Sequence, residues 1–537
     1  MAGLVHDSVF GRLVHLASRG KIFPPAEQRD PSMLQRYAKP VSTSTSETSV
    51  GAARDVPEPK ATDPEKGSDY QLVDWTENDP ENPRNWSTAK KVFATFQICF
   101  LTTAVYIGSA IYTAGLQGVM LQFGVSNVAA LLGLTLFVVG YALGPMILAP
   151  LSEMPFIGRN PVYIGTLLAF VVLQLGVIYA KNFGMLLAFR FITGFIGSPV
   201  LATGGASIAD MFAPKKQVYG IAVWGIAAVL GPAMGPLVGG FAAESKDWTW
   251  TIWELMWLSG VALVFLTIFL PETSSSHILY RRTIRYRKLT GNPNLKCEPE
   301  LEAEGMTGRE IAQMVLIRPF TLSFTEPIVF LLNLYIALIY ALLYLWFESF
   351  PIVFIGIYGF SLGAQGLAFL GILIGALLTM PPFFWYVHKY MEPLFNENGE
   401  IKPEMRLRPA MVGAFFIPVC LFWFGWSARA SVHWIMPIIG SSFFSIGAFL
   451  LFMAVLTYLG DAYPKYVASV YAGNDLVRSS FGAAFPLFAN AMYARLGVGW
   501  SNSLLGFLSI VFIPIPFVLY YYGENIRRRS KMARHDL

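Results

Sequence analysis

Ionisable side chains inside long apolar stretches are the most informative residues of this sequence. Arg190 is one of them, and the acids are Glu254, Glu326, Glu348 and Asp475. A charge at the centre of a bilayer costs at least about 2.5 to 3.5 kcal/mol, so such residues are rarely retained without a role. A carboxylate there can bind and release a proton, whereas a guanidinium stays charged. These five residues are therefore candidates for a functional role.

The four acids differ in what surrounds them along the chain. Asp475 precedes Arg478 by three residues, so the two are neighbours on a helix and are expected to form an ion pair. Glu326 and Glu254 lie near the ends of apolar stretches, where helix capping or interfacial anchoring accounts for them. Glu348 has no basic neighbour in sequence. We therefore take Glu348 as the first candidate proton carrier and Asp475 as the second.

A group of aromatic side chains is suited to binding an organic molecule. Tyr340, Tyr344 and Phe347 recur at helical spacing, and Asn333 and Tyr335 precede them on the same stretch. Together they can supply the apolar walls and the few polar groups that a small-molecule pocket needs. For any one of them, packing against a neighbouring helix or contact with lipid explains the pattern equally well.

The elements that must position these residues are membrane-spanning helices. Of 537 residues, 54% are apolar and 14% are charged, against about 25% charged in a soluble domain. Mean hydropathy is +0.51. A spanning helix needs about 20 mostly apolar residues. Such stretches occupy residues 92–113, 128–149, 161–180, 183–207, 217–240, 251–270, 327–350, 365–387, 409–426, 433–459, 466–492 and 501–522.

The apolar stretches form two blocks of six, separated by a charged segment. This pattern predicts an all-α membrane protein with twelve transmembrane helices in two six-helix bundles and a substrate site between them. The expected division is a largely disordered cytoplasmic tail, a first bundle, a cytoplasmic central loop, a second bundle and a cytoplasmic tail, over residues 1–90, 91–270, 271–325, 326–522 and 523–537. Disorder is expected most strongly over residues 41–69, whereas residues 4–16 have the spacing of a short amphipathic helix lying on a membrane or on the protein itself.

Basic residues predict the orientation of the chain. With a cytoplasmic amino terminus, most Lys and Arg residues of the loops face the cytoplasm, as the positive-inside rule requires. The opposite loops hold only Lys181, Lys246, Arg429 and Arg495. We therefore expect a multi-pass membrane protein with both termini in the cytoplasm. The plasma membrane is its expected location, and a vacuolar or vesicular membrane is the alternative.

The fifth apolar stretch carries regularly spaced glycines and prolines. Glycine allows close approach of neighbouring helices and proline removes backbone hydrogen bonds, so a tightly packed, bent helix is expected. The residues are Gly225, Gly231, Pro232, Gly235, Pro236, Gly239 and Gly240. Generic packing of small residues is a weaker explanation of such regular spacing.

Several classes of activity lack their motifs in this sequence. It contains no Gly-x-x-x-x-Gly-Lys-Ser/Thr phosphate loop and no His-Glu-x-x-His helix. The cysteines Cys99, Cys297 and Cys420 have no spacing that suits a metal or a disulfide framework. We expect a secondary transporter and not an enzyme, without metal or cofactor.

Several motifs together resemble a known family. The glycine-rich fifth stretch resembles the antiporter motif of the major facilitator superfamily, in the drug:proton antiporter branch with twelve spans. Arg190 to Gly194 resembles its buried-arginine motif, and Pro150 to Glu153 with Gly158 and Arg159 resembles its signature between the second and third spans. The stretches at residues 79–87, 250–254 and 270–273 resemble fungal exporters of azoles, benomyl and toxins. The resemblance extends over about residues 74–525.

The resemblance implies export of small, mostly hydrophobic compounds by proton antiport and alternating access. It implies that Arg190 is a fixed charge that influences a carboxylate, although holding backbone carbonyls is an alternative role. Glu153, Gly158 and Arg159 would form a conformational latch, but Glu153 precedes Gly158 by five residues, where the general signature has three, so the contact of Arg159 is in doubt.

The expected partners are a small-molecule substrate, protons and membrane lipid, with no nucleic acid, and the working unit is expected to be a monomer. A dedicated exporter of one endogenous toxin or metabolite shares every feature above. A non-transporting receptor or scaffold is a remote alternative, which pH-dependent flux of substrate in sealed vesicles would exclude.

The basic-residue asymmetry leads to a prediction about topology. Epitope tags at both termini should be inaccessible in intact cells until the membrane is permeabilised, because both termini are expected in the cytoplasm. Asn85 lies in a formal glycosylation sequon, Asn85-Trp86-Ser87, yet it should carry no glycan. A glycosylated Asn85, detected by a glycosidase-sensitive mobility shift, would reverse the orientation.

Overall fold

The computed structural model describes residues 2–29, 34, 37, 70–305, 310, 312–397 and 399–536. The predicted disorder over residues 41–69 lies outside the described residues. Elsewhere the chain is dominated by helices, and the fold follows from their number, length and apolar character.

Eleven helical segments among the described residues are long and apolar enough to cross a membrane. Spans 1 to 10 are Thr88–Phe123, Asn127–Glu153, Arg159–Ile178, Phe183–Met211, Pro214–Ser245, Thr249–Phe269, Pro327–Ile355, Leu362–Leu394, Pro403–Ser427 and Ile435–Ala462. The last segment, Ser469–Arg527, has 59 residues, about twice the length of the others. Its backbone leaves the helical region at Gly497, so spans 11 and 12 lie before and after that residue. This is consistent with the twelve predicted spans.

Several spans are built from shorter helical pieces, often with a proline at the junction, because proline lacks a backbone N–H and ends or bends a helix. The pieces are Thr88–Ala110, Ile111–Gly115 and Leu116–Phe123 in span 1, Phe183–Gly197 and Pro199–Met211 in span 4, Pro327–Phe350 and Pro351–Ile355 in span 7, Leu362–Ala368, Leu370–Tyr386, Val387–Met391 and Glu392–Leu394 in span 8, Pro403–Leu407 and Arg408–Ser427 in span 9, and Val467–Phe512 and Pro514–Arg527 in spans 11 and 12.

Shorter elements lie outside the spans. The helices are Ala2–Asp7, Val9–Ala17, Ala26–Arg29, Pro83–Asn85, Ser275–Thr290, Glu298–Glu304, Gln313–Ile317, Arg318–Thr325 and Pro464–Tyr466. Two short parallel strands, β1 (Gln71–Leu72) and β2 (Leu295–Lys296), pair Gln71 with Leu295. These segments precede span 1, join spans 6 and 7 or join spans 10 and 11. They lie on one side of the molecule, which we call the terminal face. The opposite side is the far face.

Part of the amino-terminal segment is packed against the first half, which differs from the predicted, largely disordered tail. Asp79 is buried, and its carboxylate accepts a hydrogen bond of 2.9 Å from Nη2 of Arg282. Burial alone would raise the pKa of Asp79, but the hydrogen bonds and charge of Arg282 outweigh burial and lower that pKa. The helix Val9–Ala17 agrees with the predicted helical spacing, and Asp7 beside it pairs with Lys90 at 2.7 Å. Charge pairing with basic residues therefore orders this segment.

Span 5 packs closely against spans 1 and 8 because its glycines lack side chains. A Cβ atom on Gly235 would lie 2.6 Å from the backbone nitrogen of Ile111, and one on Gly239 would lie 2.7 Å from the Ile111 carbonyl oxygen. On the neighbouring face, a Cβ atom on Gly240 would lie 2.6 Å from the carbonyl oxygen of Leu362. Span 5 thus contacts both halves of the molecule through backbone.

Larger residues in span 5 should block transport. Gly235→Leu or Gly239→Leu would force span 1 away, since the atoms in contact are backbone and cannot rotate aside. We expect export to be lost in vesicles even where abundance at the membrane is normal. Gly165→Leu is the matched control, because a Cβ atom at that position meets nothing within 4 Å. Normal export by the Gly235 and Gly239 variants at normal abundance would contradict the packing role.

Candidate substrate pathway between the two halves

A cavity lies between the two halves, near the middle of the spans. It includes about 490 Å³ of empty space, part of which is open to solvent. Its walls are mostly aliphatic and aromatic, with one guanidinium. The lining residues are Tyr106, Gly225, Ala228, Val229, Ile336, Ile339, Tyr340, Leu343, Phe444, Ala448, Phe452 and Arg478. Both halves contribute to this central cavity.

A second pocket continues the central cavity toward the terminal face. The two share Phe452 and Arg478. The other lining residues come from the ends of spans 4, 5, 10 and 11 nearest the terminal face: Leu201, Ala202, Gly205, Ile221, Trp224, Leu456, Tyr471, Asn474 and Asp475. The open space between the halves therefore extends to the terminal side of the cavity.

Hydroxyl groups close the central cavity on its other side. The Tyr141 hydroxyl lies 2.8 Å from that of Tyr340 and 2.7 Å from that of Tyr344, and Tyr344 donates to Oγ of Ser109 at 2.8 Å. Ser109 in turn donates to the carbonyl oxygen of Tyr106. Because each hydroxyl has one proton, the donors must run from Tyr340 through Tyr141 and Tyr344 to Ser109. This tyrosine cluster joins spans 1 and 2 to span 7.

Further contacts join the halves nearer the far face. Nδ2 of Asn490 donates across the halves to Oδ1 of Asn127 at 3.1 Å and, within the second half, to Oε2 of Glu348 at 2.7 Å. The carboxylate of Glu244 accepts a hydrogen bond of 2.7 Å from the backbone N–H of Gly363. The described molecule is thus closed toward the far face and extends its cavity toward the terminal face.

The predicted ion pair between Asp475 and Arg478 is confirmed. Nε of Arg478 lies 2.9 Å from Oδ1 of Asp475, and both side chains are buried. Nη2 of Arg478 also donates to the Tyr106 hydroxyl at 3.1 Å. Arg478 therefore links span 11 of the second half to span 1 of the first, in the wall of the central cavity.

Arg190 is fully buried among spans 1, 2 and 4. Its Nε donates to the Gly133 carbonyl at 2.9 Å and its Nη2 to the Gly108 carbonyl at 3.0 Å. Its guanidinium lies 4.7 Å from the ring centre of Tyr112 and 4.4 Å from that of Phe137. No carboxylate of the described residues is within ion-pair distance. In this conformation Arg190 holds backbone carbonyls together, the alternative that its sequence position left open.

The five predicted cavity residues separate in the structure. Tyr340 lines the central cavity and Tyr344 belongs to the tyrosine cluster. Phe347 packs against Phe369 with ring centres 5.7 Å apart. Asn333 and Tyr335 do not line the cavity, because they lie on faces of span 7 that meet other helices. Their partners are Asn474, which donates to Asn333 at 2.9 Å, and Phe512, whose ring centre lies 5.5 Å from that of Tyr335.

Sequence reasoning missed Tyr106, Tyr141 and Phe452 as residues between the halves. Each lies on a span that is apolar around its whole circumference, so periodicity does not identify the face that meets the cavity. Arg478 carried a usable signal, because a cation inside an apolar stretch requires a polar partner.

The structure gives a partner to Arg159 of the predicted latch loop, whose contact the sequence left in doubt. Arg159 pairs with Asp210, Nε to Oδ2 at 2.9 Å, and Glu153 forms no ion pair within the described residues. Gly158 has a φ of 81°, which favours glycine and turns the chain into span 3. Glu272 then accepts the backbone N–H of Arg159 at 3.2 Å, where the positive end of the helix dipole stabilises a carboxylate.

The second half has a corresponding set of charges at the terminal face. Nε of Arg406, in the first helical piece of span 9, lies 2.7 Å from Oδ2 of Asp461 at the end of span 10. Nε of Arg527, at the end of span 12, lies 3.1 Å from Oε1 of Glu404. Each half therefore has ion pairs of its own that join the ends of its spans.

Comparison with known proteins agrees with this architecture. Residues 98–486 match the family model described as the Major Facilitator Superfamily. The chain belongs to this superfamily. The predicted fold is confirmed, and the protein is a multi-pass membrane transporter.

Curated relatives extend over most of the chain. Transporter mfs1 of Schizosaccharomyces pombe is 49% identical over 469 residues, covering 86% of this chain and 88% of that protein. Fluconazole resistance protein 1 of Saccharomyces cerevisiae is 43% identical over 464 residues, covering 85% of this chain and 84% of that protein. The cycloheximide resistance protein of Candida maltosa is 38% identical over an alignment of 561 residues, covering 99% of this chain and 100% of that protein.

Solved structures agree in fold alone. The human organic anion transporter MFSD10 aligns with a TM-score of 0.54 and 18% identity, covering 81% of this chain and 99% of that chain. The proton:xylose symporter XylE aligns with a TM-score of 0.58 and 15% identity, covering 81% and 96%. Both share the fold described above, but their sequences are too distant for the roles of their residues to be assigned to residues of this chain.

Removing one hydroxyl from the tyrosine cluster should weaken the closure of the far face. Tyr141→Phe deletes the group that links Tyr340 to Tyr344, and each lost hydrogen bond is worth about 0.5 to 1.5 kcal/mol. We expect a lower melting temperature for the purified variant in detergent. Tyr179→Phe is the control, since Tyr179 is exposed. Equal melting temperatures for the two variants would show that the cluster does not hold the halves together.

Proposed function

We propose that this transporter exports small, mostly hydrophobic organic compounds across the plasma membrane by alternating access. The observation that carries the proposal is the central cavity, which lies between the halves, extends toward the terminal face and is closed by the tyrosine cluster on the other side. With both termini in the cytoplasm, as basic-residue asymmetry favours, this conformation would accept substrate from the cytoplasm.

The chemistry of the cavity suits apolar compounds with few polar groups. Aliphatic and aromatic side chains form most of its wall, and the charge of Arg478 is neutralised by Asp475. Tyr106 and Tyr340 add hydroxyl groups that can donate to or accept from a ligand. The names of the relatives point the same way, since two are named for resistance to fluconazole and to cycloheximide.

We further propose that protons drive export, with Glu348 and Asp475 as the candidate carriers. Glu348 contacts Asn490 beside the contacts that close the far face, so opening that face would give it access to external protons. Asn490 also donates to Asn127 across the halves. Protonation of Glu348 would weaken its charge-assisted hydrogen bond from Asn490, which would then be held less firmly against Asn127, and so favour the open far face. Asp475 lines the pocket on the terminal side, where release into the cytoplasm would follow.

In this scheme Arg190 would act by holding helices in position and not by carrying a proton. It fixes spans 1, 2 and 4 relative to one another in the present conformation. In the opposite conformation the approach of a carboxylate would favour its ionised form. Arg190→Lys should impair transport although the charge is kept, because an ammonium does not reproduce the planar fork.

Expression in yeast lacking its own drug pumps, grown against a panel of toxic compounds, would identify a transported compound. Flux of that compound is then measured in sealed vesicles with and without a proton gradient. Glu348→Gln and Asp475→Asn should retain part of substrate binding or exchange but lose acceleration by the gradient, because neither amide releases a proton. Glu254→Gln is the control acid, since Glu254 lies in span 6, away from the described cavity.

Two results would contradict these proposals at different levels. Full gradient-driven export by both acid variants would show that neither acid is the essential carrier. Wild-type protein that is abundant at the membrane, yet protects against no compound and moves none in vesicles, would refute drug export itself.

A further inference from the structure

A groove on the surface of the second half runs between spans 8, 9 and 10. It includes about 780 Å³ of empty space, part of it open to the surroundings, and shares no lining residue with the central cavity. Leu378 and Val412, on its wall, are 67% and 57% exposed, so the groove faces the surrounding lipid. Phe416, Ile446 and Leu450 complete an apolar wall.

Prolines account for the incomplete packing at this position. Span 8 contains Pro381 and Pro382 in succession and continues as a π-helical turn over Val387–Met391. Each proline removes a backbone donor and prevents a regular helical turn. Pro382 of span 8 and Pro409 of span 9 both line the groove. Their short rings fill less of the space between the spans than longer side chains would.

Arg408 lies at the end of the groove nearest the terminal face. Its Nε and Nη2 donate to the Tyr520 hydroxyl at 3.2 and 3.1 Å. Within the described residues it forms no ion pair, whereas the nearby Arg406 and Arg527 pair with carboxylates. No acidic residue lines the groove. Arg408 is therefore a cation beside an apolar groove, and its partners are two neutral phenols, those of Tyr520 and Tyr386.

Aromatic side chains place Arg408 at the depth of lipid headgroups. Trp385, Tyr390, Tyr521 and Tyr522 are exposed at the same end of spans 8 and 12. The amino group of Lys389 lies 5.4 Å from the ring centre of Trp385. Exposed tryptophan, tyrosine and basic residues mark the membrane–water interface. A phosphate of the adjacent leaflet would lie at the level of the Arg408 guanidinium.

We propose that this groove is a phospholipid site, with the lipid phosphate bound by Arg408 and one acyl chain lying along the apolar wall between spans 8, 9 and 10. Guanidinium and phosphate are matched in charge and geometry. The apolar wall requires an acyl chain, so free phosphate alone does not satisfy the site. Lipids with a net negative headgroup are preferred, because the groove contains no acid to repel them. The bound lipid fills the gap between three spans and stabilises the second half.

Lipid retention by the purified full-length protein tests this site directly. Detergent-solubilised protein is incubated with phosphatidylglycerol, phosphatidylcholine, diacylglycerol or inorganic phosphate, and bound lipid is measured by native mass spectrometry alongside the melting temperature. Wild-type protein should retain phosphatidylglycerol most strongly, and inorganic phosphate should not raise the melting temperature. Arg408→Gln should reduce retention of phosphatidylglycerol about tenfold, as expected for the loss of a charge-assisted contact, without changing retention of diacylglycerol.

Val412→Trp fills the groove with an exposed ring, so this variant should lose phosphatidylglycerol and diacylglycerol alike. Arg429→Gln is the matched control, because Arg429 lies near the far end of span 9, with its guanidinium 4.9 Å from the Trp426 ring centre. Equal lipid retention by Arg408→Gln and Arg429→Gln would overturn the site. If inorganic phosphate raised the melting temperature as much as phosphatidylglycerol does, the proposal that the site binds a lipid would be wrong. Neither readout requires transport, so the outcome is independent of the proposed export function.

Discussion

The contact that closes the central cavity between the two halves of this transporter consists of neutral hydroxyl groups in an apolar interior. Tyr340, Tyr141, Tyr344 and Ser109 form a single directed chain of hydrogen bonds between the halves. A buried hydroxyl that loses its partner costs about 1 to 3 kcal/mol unless water replaces that partner. The halves can therefore separate only where water or a polar ligand reaches the tyrosines. Closure of the far face and hydration of the cavity are thus linked by the same groups.

Ion pairs, by contrast, lie mostly within each half. Arg159 with Asp210 belongs to the first half, and Arg406 with Asp461 belongs to the second. Removing one partner of a buried pair costs about 3 to 5 kcal/mol, more than a neutral hydrogen bond contributes. Among the described ion pairs, Lys216 with Glu392 crosses between the halves, and its lysine is 55% exposed, which weakens it by solvent screening. Strong contacts make each half rigid, and weaker contacts let the halves rock.

The fold was predictable because length and hydropathy decide which segments can cross a membrane. The site was predictable only where a residue type was unusual in its surroundings. Arg190 and the pair of Asp475 with Arg478 stand out as charges in apolar spans. Tyr106 and Tyr141 do not, since in a helix apolar on all sides nothing in sequence marks the face that meets the cavity.

Several partners were also beyond sequence reasoning. Asp210 lies 51 residues from Arg159, and pairing across that separation depends on the arrangement of spans 2, 3 and 4. Asn333 and Tyr335 share span 7 with Tyr340 but face other helices, because tertiary packing rotates them away from the cavity. The buried pair of Asp79 with Arg282 joins segments 203 residues apart, so composition alone assigned residue 79 to a disordered tail.

Distances between spin labels test most directly whether rigid halves move about a neutral interface. In a background where Cys99, Cys297 and Cys420 are replaced, labels at Leu121 and Ala494 report on the far face across the halves. Labels at Lys215 and Asn525 report on the terminal face, and labels at Lys215 and the exposed Phe156, between spans 2 and 3, report within the first half. On acidification with a transported compound, the far-face distance should lengthen and the terminal-face distance shorten, while the distance within the first half stays constant. A change within the first half as large as the change between the halves would contradict the account.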